Sequence, residues 1–151
     1  MNDTLPTKLS ELAEISLQEL EAVERDPRYH VWMGVFAATG MREDKCSVCM
    51  AGAVLCNRLG YQGGNVWDTD DLDSCVESVT LYRKLLAIDA LRIGNIDGAQ
   101  DLMLAGVQRP YESGRHWTDS QNNAIVDYHD NPKIFKRQFR EFIQDLKRRG
   151  L

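Results

Sequence analysis

Residues 44–60 read DKCSVCMAGAVLCNRLG and are the most apolar segment of the chain. Asp44 suits the N-cap of a helix, and Gly60 suits the residue that closes one in the left-handed conformation. No charge occurs from Cys46 until Arg58, and a helix that is apolar nearly all round is a buried one. The small side chain of Gly52 would let a neighbouring backbone approach closely. We therefore predict a buried central helix at about residues 45–59.

Helical spacing also recurs on both sides of this segment. Residues 5–25 alternate leucines and glutamates at helical spacing, and the SLQE sequence at residues 16–19 matches a capping box, which predicts a break into two helices. Further helices are predicted at about residues 27–40, 74–93, 95–106, 120–129 and 131–149, the first of these from the spacing of Tyr29, Trp32, Met33 and Phe36. No alternating β pattern is evident. The predicted fold is all-α, a compact multi-helix bundle forming a single domain over residues 1–151.

Bulk composition is that of an ordinary globular domain. The chain has 151 residues, of which 43% are hydrophobic and 27% are charged. No apolar run approaches the ~20 residues that cross a bilayer, and the beginning, MNDTLPTKLSELAEI, lacks the pattern of a secretory signal. We therefore expect no membrane association, a cytoplasmic location and reduced thiols.

Charge is distributed unevenly along the chain. The net charge is −5. Residues 131–151 hold seven basic and two acidic side chains, so this segment carries +5 and residues 1–130 carry −10. A basic helix on an acidic body can bind an anion, or it can dock on its own or a partner's acidic face. The acidic balance of the rest makes binding to duplex nucleic acid an unfavoured interpretation.

The cysteines invite a metal or redox interpretation through the Cys46-x-x-Cys49 spacing, with Cys56 seven residues further on. Structural zinc needs four ligands, and neither a second Cys pair nor a His pair accompanies this one. Because Cys49 and Cys56 would share one helical face, small buried core residues are the favoured interpretation. No metal and no cofactor are predicted.

The segment at residues 107–120 combines guanidinium groups, an imidazole and aromatic rings. Guanidinium groups bind phosphate or carboxylate in a bidentate manner, and aromatic faces can stack a base. The alternative is that the aromatic rings cover the edge of the core while the arginines pair with surface acids. The predicted ligand-binding residues are Arg109, Tyr111, Arg115, His116 and Trp117, with Lys136, Arg137 and Arg140 contributed by the last helix.

Two acidic groups could also carry chemistry. The acids at residues 68–77 do not match an EF-hand calcium loop, because Asp73 and Val79 occupy the sixth and twelfth positions, where glycine and glutamate are required. These acids are instead expected to favour the start of the following helix. Asp127 and His129 could act as acid and base. Because no nucleophile, phosphate-loop or HExxH motif accompanies them, no catalytic residue is predicted.

Three segments together carry a resemblance: KCSVCMAGAV at residues 45–54, LLAIDALRIG at 85–94 and the ending LKRRGL. With them the chain resembles small uncharacterised accessory proteins of tailed bacteriophages. The resemblance implies a phage-encoded protein acting in the cytoplasm of the bacterial host. Such proteins often antagonise host defences or redirect host enzymes, and some sequester nucleotide immune signals. The resemblance brings no catalytic residues with it.

Three functions remain open from these observations. The first is an oligomeric counter-defence protein that sequesters an anionic, nucleotide-type signal. The second is a protein–protein inhibitor of a host factor that acts through the acidic face formed by residues 68–77 and the N-terminal helices. The third is a small nucleotide hydrolase that uses Asp127 and His129.

Overall fold

The computed structural model of the chain describes residues 1–42, 44–105 and 116–151, with only the backbone of Ala105. The elements are α1 (Leu9–Glu24), β1 (Tyr29–Val31), β2 (Ala37–Arg42), β3 (Lys45–Val48), α2 (Met50–Ala53), a π-helix (Val54–Arg58), α3 (Thr69–Cys75), α4 (Val79–Arg92), α5 (Ile96–Ala105) and α6 (Pro132–Arg148). The helices that are described include none long and apolar enough to span a membrane.

The prediction of one central helix at residues 45–59 is wrong, and with it the all-α bundle. Lys45–Val48 form β3, the middle strand of a three-stranded sheet with the order β1-β3-β2. β1 pairs with β3 in parallel and β2 pairs with it antiparallel. Hydrogen bonding on both edges outweighs the helical preference of this short segment. The helix begins only after Cys49, whose Sγ accepts a hydrogen bond from the Gly52 N–H at 3.3 Å. The fold is therefore mixed α/β.

The predicted helix at residues 27–40 is also wrong. Its first part is β1, with Tyr29 opposite Cys46, and its last part begins β2, with Ala37 opposite Val48. Phe36 is buried as expected, but Trp32, just after β1, remains 42% exposed. The aromatic spacing therefore marked strand residues and a connecting turn, because aromatic side chains suit strands as well as helices.

Residues 120–129 do not form the predicted helix either. The Asp119 carboxylate accepts from the N–H groups of Gln121 and Asn123, both at 2.9 Å, and this holds the segment in a turn. An aspartate that bonds nearby backbone in this way competes with helix formation.

Gly52 fixes how closely α2 lies against the sheet. A Cβ atom at this position would stand 1.5 Å from the Phe36 carbonyl oxygen, so only glycine fits. The Cys49 N–H donates to the Val35 carbonyl at 3.1 Å just before this contact. The predicted close backbone approach at Gly52 is confirmed, although its partner is the segment preceding β2.

The longer helices pack around α2 and the sheet. α1 is one continuous helix, because the Ser16 hydroxyl donates to the Leu12 carbonyl at 2.7 Å and does not cap a new helix. α6 begins as predicted: the Asn131 side chain accepts from the Ile134 N–H, with Pro132 in the first turn. The buried face of α6 packs against α1, and α4 packs against α2 and α5. The fully buried α6 and α4 side chains include Phe135, Phe139, Phe142, Leu81, Leu85, Ile88 and Leu91.

Candidate functional site

The ligand-binding segment predicted at residues 107–120 lies largely outside the described residues, and Arg109, Tyr111 and Arg115 fall there. His116 is exposed, and its backbone forms an isolated bridge with Asn95. The prediction of a ligand site in this segment therefore stays a prediction.

Trp117 belongs to the edge of the core. Its side chain is only 6% exposed, and its ring centroid lies 5.3 Å from that of Phe142. Its Nε1–H donates to Asp145 Oδ2 at 3.0 Å. These contacts match the alternative interpretation for this residue, in which the ring covers the core and does not stack a base.

Of the three α6 residues predicted to bind a ligand, Lys136 and Arg140 pair with acidic side chains of α1. Lys136 Nζ donates to Glu24 Oε1 at 2.9 Å, and an Arg140 guanidinium nitrogen lies 2.8 Å from Glu21 Oε2. Lys147 pairs with Glu14 further along the same two helices. Arg137 is exposed. The basic side of α6 therefore docks on the acidic side of α1, which was one of the alternatives drawn from the charge distribution.

A second group of polar side chains surrounds an open cleft of about 500 Å³ beside β1, which we name the β1 cleft. Four parts of the chain contribute to it: the end of α1, the whole of β1, the start of β3 and the segment that leads into α6, up to its first residue. The lining residues are Val23, Glu24, Tyr29, His30, Val31, Lys45, Tyr128, His129 and Pro132. Parallel pairing of β1 with β3 brings His30 and Lys45 to the same face of the sheet, since His30 lies opposite Ser47, two residues after Lys45.

The negative charge of Glu24, on the acidic side of the β1 cleft, is balanced by neighbouring side chains of the protein. Glu24 accepts from the Tyr128 hydroxyl at 2.6 Å through Oε2 and from Lys136 through Oε1. Burial, and then the hydrogen bond and charge of Glu24, raise the pKa of Tyr128. The hydroxyl thus stays a hydrogen-bond donor at neutral pH and does not act as a base.

The opposite side of the cleft is basic. Burial, and then the positive charges of Arg42 and Lys45, lower the pKa of His30. Lys45 is half-buried at the start of β3. Because Lys136 already balances Glu24, the cleft keeps an excess of positive charge from this side, which favours an anion.

His129 is held in a fixed orientation at the cleft. Its Nε2 accepts from the Met33 N–H at 3.0 Å, so the neutral ring carries its proton on Nδ1. The Trp32 ring centroid lies 4.8 Å from the imidazole, and the Tyr128 ring meets it edge-on at 5.5 Å. Asp127 accepts from the His129 backbone N–H at 2.9 Å, which is a local turn contact. The imidazole therefore forms part of the cleft wall and can donate a hydrogen bond from Nδ1, whereas its Nε2 lone pair already accepts from Met33.

The other polar motifs have structural roles where they are described. Asp68 caps α3 by accepting from the Asp71 N–H at 2.9 Å, as expected for acids that favour a helix start. Asp71 accepts from the Trp67 N–H at 3.0 Å. In the part of the chain that the structure describes, no group of three or more His, Cys, Asp or Glu side chains is arranged to hold a metal ion.

In comparisons with known proteins, no protein-family model matches this chain, and no curated protein or solved structure matches it significantly.

Sequence reasoning missed Glu24, His30, Lys45 and Tyr128 as neighbours. They are far apart in the chain, and only the sheet and the α1–α6 contact bring them together. The available signal was the YHV sequence of β1, since aromatic and β-branched residues are typical of strands.

Proposed function

We propose that this protein binds a small anionic ligand with a planar ring in the β1 cleft, a nucleotide-type molecule. The observation that carries the proposal is the meeting of Lys45 and His30 with the rings of Tyr29 and Tyr128 around one opening. A volume of about 500 Å³ falls in the usual range for small-molecule sites, roughly 300–1,000 Å³. Phosphate would lie on the basic side and a base against the aromatic side.

In this proposal Lys136 acts indirectly. It neutralises Glu24, whose charge would otherwise repel the ligand, while Lys45 contacts the ligand. With the bacteriophage resemblance, the biological role we propose is sequestration of a nucleotide immune signal in the host cytoplasm, without turnover.

The test is calorimetric titration with cyclic dinucleotides, ADP-ribose and mononucleotides, with thermal unfolding in parallel. A ligand that binds the folded state raises the Tm. Loss of one charge-assisted hydrogen bond, about 1.5–3 kcal/mol, should raise the Kd of Lys45→Ala roughly 10- to 150-fold. Lys8→Ala is the matched control, because Lys8 is exposed and precedes the opposite end of α1.

Equal affinities for Lys45→Ala and Lys8→Ala would overturn the cleft as the site. If Arg115→Ala alone abolished binding, the segment at residues 107–120 would be the site. An unchanged Tm with every nucleotide would overturn the ligand class.

Inhibition of a host protein is a second candidate, favoured by the exposed acids of one region. Asp68, Asp70, Asp73 and Glu77 are exposed around α3, whereas Glu14, Glu21 and Glu24 of α1 pair with α6. An acidic face would therefore be centred on α3. Salt-sensitive recovery of one host protein by the parent chain, lost on neutralising these four acids, would support this function. Nucleotide turnover lost in His129→Ala would instead support the hydrolase.

A further inference from the structure

Cys46 and Cys56 lie on the wall of a second cleft, of about 250 Å³, which we name the thiol cleft. Tyr29, Thr39 and Tyr61 line it with them. Both thiols are only partly buried, whereas Cys49, the other member of the C-x-x-C motif, is buried and caps α2. The two thiols that share this cleft are therefore Cys46 and Cys56, and not the C-x-x-C pair Cys46 and Cys49.

Cys56 lies within the π-helix. Its wide turn is closed by the Leu59 N–H donating to the Val54 carbonyl at 3.0 Å. In a continuous α-helix Cys56 would share the buried face of Cys49, seven residues earlier. In the structure Cys56 instead lines the thiol cleft with Cys46, and π-turns are frequent at functional sites.

The two thiols are not equivalent. Burial raises the pKa of Cys46, and hydrogen bonds from the Cys56 thiol and the Ala38 backbone oppose that rise. Burial, and then the charge and hydrogen bond of Cys46, raise the pKa of Cys56 to about 12. The stronger rise in the pKa of Cys56 favours Cys46 as the attacking thiol.

We propose that Cys46 and Cys56 are a dithiol site that a low-molecular-weight disulfide, entering the thiol cleft, oxidises to an intramolecular disulfide. The Cys46 thiolate attacks one sulfur of the small disulfide, its S–S bond breaks, and one thiolate leaves and is protonated. The Cys56 thiolate then attacks the Cys46 sulfur and expels the second thiolate, which is also protonated. The protein loses two electrons and the small disulfide becomes two thiols.

The new bond would join β3 to the π-helix across the segment that contains α2. The bond would lie in the thiol cleft, which shares the Tyr29 wall with the β1 cleft, but its formation is read out separately from anion binding. Its failure would leave the proposed function standing, and failure of the anion proposal would leave the dithiol site standing.

The experiment treats the folded protein with 2-hydroxyethyl disulfide at mildly alkaline pH, alkylates the remaining thiols and maps the peptides by mass spectrometry. Two of the four thiols should be lost, and fragmentation of the peptide at residues 46–58 should show a bond between Cys46 and Cys56 with Cys49 alkylated. Four alkylated thiols, or a bond to Cys49 or Cys75, would overturn the proposal.

Variants test the order of attack. Cys56→Ser should stop at a mixed disulfide on Cys46, while Cys46→Ser should react more slowly at Cys56. Cys75→Ser is the control and should form the same bond as the parent chain. If a serine variant does not fold, the peptide map of the parent chain still decides the proposal. Faster reaction in Cys46→Ser than in Cys56→Ser would overturn the assigned order.

Discussion

Replacing Asp3 by asparagine should destabilise the protein much more than an ordinary surface substitution. Lys84 of α4 is only 4% exposed. Its Nζ donates to both carboxylate oxygens of Asp3, at 3.0 and 2.9 Å, and to the Leu5 carbonyl at 2.7 Å. This ammonium group ties the N-terminal segment, and through it the start of α1, to α4.

The magnitude follows from the burial of the two partners. The amide of the Asp3→Asn variant would keep the oxygen that accepts the Leu5 N–H at 3.2 Å, but it would remove the counter-charge of a buried ammonium. Breaking a buried pair costs about 3–5 kcal/mol. Because the Asp3 side chain is 17% exposed, water compensates partly, and we expect about 3 kcal/mol for Asp3→Asn. Lys84→Met should cost about 2 kcal/mol, since the remaining carboxylate can rehydrate.

Urea unfolding followed by circular dichroism measures these differences. For a chain of this size about 3 kcal/mol lowers the Tm by roughly 6–12 °C. The double variant should be about 2 kcal/mol more stable than the sum of the single changes predicts. Arg148→Met, which removes an exposed partner of Asp145, is the control and should cost less than about 0.5 kcal/mol. Additive single changes would refute the reasoning.

Three further predictions concern glycine packing, pH and the cleft. Gly52→Ala should abolish cooperative unfolding or cost more than about 4 kcal/mol, because its Cβ would meet the Phe36 carbonyl. Gly64→Ala is the control in the same urea assay, since a Cβ there meets nothing within 4 Å. Equal stability of the two variants would contradict the close packing at Gly52. The lowered pKa of His30 means that the unfolded chain binds more protons than the folded one just below pH 6.5, the ordinary value. The free energy of unfolding should therefore fall as pH drops through 6.5 and level off below the folded pKa of His30. His30→Asn should remove this part of the pH dependence. The same stability-versus-pH profile in the variant and the parent chain would contradict the assignment to His30. Tyr128→Phe removes the donor to the α1 carboxylate and should cost about 1–2 kcal/mol in denaturant unfolding, whereas a neutral effect would show that the hydrogen bond contributes nothing net.

Local signals were sufficient for the last helix. Asn131 followed by Pro132, and a phenylalanine face at helical spacing, predicted α6 because the cap and the apolar stripe both lie within its own sequence. α4 begins at Val79, after the Ser78 cap, and not at about residue 74 as predicted, because residues 69–75 form the separate helix α3. Capping and periodicity are short-range properties, so one segment is enough to predict them.

The strands could not be predicted in this way. β3 has four residues and β1 has three, too few for a periodic pattern to distinguish strand from helix. What stabilises them is pairing between residues about 17 positions apart, as for Tyr29 with Cys46. The same limit applies to the β1 cleft, where Glu24, His30 and His129 meet only because the whole chain has folded.

The short parallel strand also has a consequence for how the protein moves. β1 contributes one wall of the β1 cleft, yet three residues on the outside of a sheet are among the easiest parts of a fold to open. Transient detachment of this strand would widen the opening without disturbing the helices behind it. Amide hydrogens at His30 and Trp32 should accordingly exchange with deuterium well before those of α6, and a bound molecule should slow that exchange.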